Sequence, residues 1–182
     1  MPRVIPQVLL AVGLAVVAGC GSSSDDEASA PTATNSPTPT AASGLASPLQ
    51  GAWQTKPVTV EDLVRTLRKN GLDKWVSRFR KNSPVPRTPT RLILEIDESS
   101  WNLYGEPRGG ERQEIDYDAD LEVDGNTATV SHEGDSNTYG WSVRDDTLTL
   151  MWQETTYAPY KGIPEEVFQR ALYQTASFGR TR

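Results

Sequence analysis

Apolar residues recur in steps of three and four before residue 82 and in steps of two after residue 90. Val60, Leu63, Val64 and Leu67 follow the i, i+3, i+4, i+7 stripe of an amphipathic helix. Thr59 ahead of that stripe, with Asp62 three residues later, fits a capping box, and Asn70-Gly71 supplies a stop. A second stripe follows at once in Leu72, Trp75, Val76 and Phe79, so residues 60–81 predict a helical hairpin. Pro84, Pro86 and Pro89 then end helical structure.

Beyond Pro89 the two-residue period predicts strands. The clearest run is residues 114–123, where Ile115, Tyr117, Ala119, Leu121 and Val123 alternate with Glu114, Asp116, Asp118, Asp120 and Glu122. Alternation of that kind describes one strand with a buried apolar face and a wet acidic face. Shorter strands are expected at 51–55, 91–97, 101–104, 127–132, 138–144 and 147–153, with Asp124-Gly125-Asn126 as a hairpin turn. Pro164, followed by Glu165 and Glu166, suits the start of a late helix reaching about Leu172, and residues 173–180 could supply a last short strand. The expected fold is mainly β: an antiparallel up-and-down meander of about eight strands, a two-helix hairpin after the first strand, and one late helix.

Composition narrows the chemistry. The 182 residues carry 18 basic and 24 acidic side chains, a net charge of −6. An acidic balance without a basic cluster argues against nucleic-acid partners. One Cys and one His exclude an intramolecular disulfide, a cysteine-based zinc site and most metal or nucleophile–His arrangements. All five Trp and all six Tyr lie beyond Gln50, so the core belongs to residues 49–182.

The first 48 residues read differently. One Arg precedes a mostly apolar stretch from Val8 to Ala18, too short to span a bilayer and consistent with a secretory signal over residues 1–19. Residues 21–48 are nearly all Ser, Ala, Thr, Pro, Gly and Asp, which predicts a disordered, fairly extended spacer. The junction Val17-Ala18-Gly19-Cys20 resembles the lipobox of bacterial lipoproteins. That resemblance implies cleavage before Cys20, a diacylglyceryl group on its sulfur, and an extracytoplasmic domain anchored to the cell membrane. The Gly51-Ala52-Trp53 opening, the helical hairpin and the run of short strands together resemble the calycin group, meaning lipocalins and fatty-acid-binding proteins. They also resemble small actinobacterial lipoproteins with a lipocalin-like domain. The resemblance implies a barrel under a helical lid, and an Arg near the end stacked on the first Trp, for which Arg180 and Arg170 are the candidates.

If the alternation holds, Trp101, Tyr117, His132, Tyr139, Trp141 and Trp152 face inward. An eight-stranded barrel either fills with its own side chains or holds one small ligand, and both readings stay open. These six are the candidate ligand-binding residues, since buried Tyr and Trp tips need hydrogen-bond partners. The acidic row places neighbours about 6.5–7 Å apart along a straight line, which does not converge on a cation. No Gly-x-Ser-x-Gly elbow occurs, and residues 105–110 lack the strand-to-helix context of a phosphate loop. The expectation is a noncatalytic, membrane-anchored binder of a small, partly apolar molecule, with no cofactor or metal. The alternative is an envelope structural or protein-interaction module with a filled core.

Overall fold

The computed structural model describes residues 47–118 and 120–181. Strand β1 (Gly51–Gln54) leads into helix α1 (Val60–Lys69). A 3-10 turn (Asp73–Trp75) and helix α2 (Val76–Asn82) complete the hairpin. The capping box at Thr59 forms as expected, with the Thr59 hydroxyl accepting from the Asp62 amide and Asp62 accepting from the Thr59 amide at 2.9 Å. Leu63, Val64 and Leu67 of α1 and Phe79 of α2 bury the apolar stripes against the sheet and late helix.

Eight further strands follow: β2 (Thr90–Ile96), β3 (Trp101–Pro107), β4 (Gln113–Asp118), β5 (Asp120–Asp124), β6 (Thr127–His132), β7 (Asp135–Arg144), β8 (Thr147–Thr155) and β9 (Phe178–Arg180). Helix α3 (Glu165–Tyr173) lies between the last two. All nine strands form one antiparallel sheet in the order β4-β3-β2-β1-β9-β8-β7-β6-β5. The edges are β4 and β5, whose nearest ends, Asp118 and Asp120, are two residues apart in sequence. A chain can span only about 7 Å in that distance, so the sheet curls until its edges meet at one corner. No ladder joins β4 to β5 among the described residues, and hydrogen bonds do not close the sheet.

Two expectations are corrected here. The acidic run pairs with β3 over Gln113–Asp118 and with β6 over Asp120–Asp124, at opposite ends of the strand order, because alternation records faces and carries no information about which neighbour a strand pairs with. The phase within β4 is also inverted. The β3–β4 pairing steps from Leu103↔Asp116 to Tyr104↔Glu114, leaving Ile115 as a bulge residue. Beyond a bulge the two-residue period shifts by one. Directly paired residues share a face, so Asp116 and Asp118 lie with buried Leu103 and Trp101, while Tyr117 is turned outward and is 44% exposed. The phase returns by Leu121, which pairs with buried Val130, although Val123 on this edge strand stays 39% exposed. Ala119 lies outside the described residues.

The interior is lined by large aromatic and aliphatic side chains. Trp53, Trp101, Tyr139, Tyr173 and Phe178 are fully buried among Leu92, Leu94, Leu103 and Leu148. Trp101 stacks on Tyr139 at 5.3 Å, and Tyr173 packs against both. Each such pair contributes about 0.5–1.5 kcal/mol beyond its buried area. The guanidinium of Arg180 lies 4.1 Å over the Trp53 ring and donates to the Gln50 and Pro48 carbonyls. A Cβ on Gly51 would sit 2.7 Å from the Arg180 guanidinium, and Gly51 has φ +130. The backbone conformation therefore favours glycine there, and the absent side chain leaves room for the guanidinium.

Candidate functional site

Helix α3 starts after Pro164, with Glu165 and Glu166 in its first turn, and buries Val167, Phe168, Ala171, Leu172 and Tyr173. Gln169 lies on the same buried face and is 1% exposed. Its amide is fully used. The carbonyl accepts from the Tyr139 hydroxyl at 2.5 Å, while the nitrogen donates to Glu165 at 2.6 Å and to Asp116 Oδ2 at 3.3 Å. Tyr173 donates to the same Asp116 oxygen at 3.0 Å and accepts from the Trp101 indole at 3.1 Å. Tyr157, in the loop before α3, donates to Asp118 Oδ1 at 2.9 Å. Asp118 Oδ2 is buried with no partner.

Three carboxyls thus gather between β4 and α3, and none pairs with a Lys or Arg among the described residues. Burial raises the Asp116 carboxyl above its ordinary range, against the pull of Tyr173 and Gln169. Burial, helped by the charge of Asp116, lifts Asp118 to about 6. Glu165 is raised by burial as well. The Tyr139, Tyr157 and Tyr173 hydroxyls are pushed well up, first by burial and then by these carboxylates, so they stay protonated donors. No group of three or more His, Cys, Asp or Glu among the described residues could hold a metal ion.

The opposite flank of α3 carries an open groove of about 460 Å³, lined by Leu150, Trp152, Arg170, Tyr173, Gln174 and Asn70 among others. It exists because β9 is short. Only Thr147 and Leu148 of β8 pair with it, leaving Thr149–Thr155 without a strand on that side. The Arg170 guanidinium lies 4.9 Å over Trp152 and is held by Glu166 at 2.8 Å and Asn70 at 3.2 Å. The Trp152 indole nitrogen is buried and has no acceptor. A smaller pocket of about 160 Å³, between Ile115, Asp116, Tyr160, Glu165 and Phe168, lies on the β4 flank.

The six residues selected from the sequence do not form one site. Trp101 and Tyr139 are in the aromatic stack and line neither the β8–α3 groove nor the β4 pocket. Tyr117 is outside, edge-on to the His132 ring at 5.5 Å. The His132 side chain is 41% exposed and lies 4.0 Å from Glu133. Trp141 is partly buried against the core with its indole nitrogen unpartnered, and only Trp152 lines the groove beside β8. Asp116, Asp118, Glu165, Gln169 and Tyr173 were not legible as a group. The available signal was Gln169, a polar residue on the apolar side of a helix. Cys20 and the leader lie outside the described residues, and no described helix is long and apolar enough to cross a membrane. No protein-family model, curated protein or solved structure matches the chain.

Proposed function

We propose that this chain is an extracytoplasmic protein anchored to the cell membrane through lipid on Cys20. Its calycin-like domain binds a small, partly apolar molecule without chemistry. The ligand seat in this reading is the groove between β8 and α3, since Trp101, Tyr139 and Tyr173 fill the interior. The calycin assignment draws support from the Arg180–Trp53 stack over Gly51.

The observation that carries the reading is the Trp152 ring under the Arg170 guanidinium, on the wall of a groove that also offers apolar side chains. Such a wall offers a cation and an aromatic face to a partly apolar molecule. The groove volume also falls within the usual range for small-molecule sites. Hydrolysis by the raised carboxyls fits less well. Asp116 and Glu165 are engaged by Gln169 and Tyr173, and Asp118 by Tyr157, so they fasten α3 to β4.

Native mass spectrometry of the protein from its own host tests the proposal. The wild type is expected to retain a small molecule, and Trp152→Ala, which removes the ring from the groove wall, is expected to release it. A bare wild type that also fails to bind a panel of small amphiphiles would overturn the reading. The filled core would then favour the second one, an envelope structural or protein-interaction module.

A further inference from the structure

The net charge of −6 hides a separation. Residues 56–91 hold ten basic and three acidic side chains, a net of +7, whereas residues 92–182 hold seven basic and eighteen acidic, a net of −11. The expectation of a chain without a basic cluster is corrected by this count, because averaging over the whole sequence cancels the two halves. Seven of those ten bases and all three acids lie in the helical hairpin. Its three acids pair with Arg65, Arg80 and Arg68, at 2.8, 2.5 and 4.0 Å. Lys69, Lys74, Lys81 and Arg87 have no carboxylate partner among the described residues, and all four are exposed.

Lys74, Arg78 and Lys81 recur at i, i+4 and i+7 and so share one side of the 3-10 turn and α2. Lys74 and Arg78 flank the half-buried Trp75 ring at 5.4 and 5.7 Å from its centroid. Lys81 continues this surface into a shallow groove shared with Arg80 and Arg87. Lys74, Arg78 and Lys81 together line one open surface around Trp75. A plane of phosphates would meet them all, and an indole between two cations suits the boundary of such a layer.

We propose that the α2 face, through Lys74, Arg78, Lys81 and Trp75, docks on a bilayer rich in anionic lipid headgroups. The reading of a membrane-tethered domain supplies the setting, but the contact itself needs no anchor.

Vesicle sedimentation of the full chain carrying Cys20→Ala tests this in the absence of acyl groups. Binding is expected to vesicles containing phosphatidylglycerol, to exceed binding to phosphatidylcholine alone, and to fall as salt rises. Lys74→Gln with Lys81→Gln is expected to lower the partition coefficient roughly 30-fold, at about 1 kcal/mol per charge. The two side chains are exposed and unpaired, so the melting temperature should not move, which separates lost binding from lost folding. Any apolar contribution of the leader is common to both chains and cancels in the comparison. Equal binding to both lipids, indifference to the double substitution, or preferential binding to polyphosphate or nucleic acid at the same salt would each overturn the proposal. Acylation of Cys20 is measured separately, so either reading can fail without the other.

Discussion

Asp118 occupies an uncomfortable position for a carboxyl: 2% exposed, with one oxygen on Tyr157, the other on nothing, and Asp116 close enough to raise it further. Charge on His132 works the other way but does not outweigh burial. Its pKa of about 6 in the fold stands above an ordinary 3.8, so between those values the folded state binds more protons than the unfolded chain. Stability therefore falls as pH rises through that window, by up to about 3 kcal/mol, and is flat above it. Asp116 and Glu165, raised by burial, act in the same direction. Asp62 and Asp97, lowered by hydrogen bonds from Thr59 and Ser100, have the opposite sign and cost stability only as pH falls below about 4. Thermal melts should show a higher melting temperature at pH 5 than at pH 7.5. Asp118→Asn should raise the melting temperature at pH 7.5 and shrink the difference. An unchanged melt for that variant at both pH values would place the carboxyl in water.

At the scale of elements, α3 fastens the fold. It reaches across from β8 to the edge strand β4, and Gln169 is the joint, since its one amide serves Tyr139, Glu165 and Asp116. Gln169→Ala leaves a tyrosine hydroxyl and two carboxyls short of partners in a buried place, and about 2–5 kcal/mol of stability should disappear in denaturant unfolding. Gln169→Glu should fare no better, because it adds a fourth carboxyl to the cluster. The helices were readable because their signals are local: a cap, a stripe and a stop all lie within about a dozen residues of one another. Strand positions were readable from the two-residue period for the same reason. The phase of β4 was not. It depends on the bulge at Ile115, which fits over β3 because Gly105 has no side chain, a Cβ there meeting Ile115 Cδ1 at 2.8 Å. Pairing of that kind involves residues the local pattern does not connect, so the site built on Asp116 and Asp118 stayed hidden with it.

The molecule as a whole joins a proposed lipid tether, a filled β-rich domain and two halves of opposite charge. Cys20→Ala should abolish incorporation of labelled fatty acid and shift the protein from the membrane to the soluble fraction; full retention with no loss of acyl mass would end the anchor reading. The charge separation was present in the sequence all along, but it became meaningful only once Lys74, Arg78 and Lys81 proved to share one exposed side of the helical hairpin. The course of the chain through the sheet has a further outcome. β1 and β9, first and last of the strands, lie side by side at the middle of the order, paired at Trp53 and Arg180, while the corner where the two edges meet falls midway along the chain. A circular permutant opened between Asp118 and Asp120, with its original ends stitched together, would keep every rung of the ladder. It would convert the one covalent seam of the curled sheet into a gap that can spring apart.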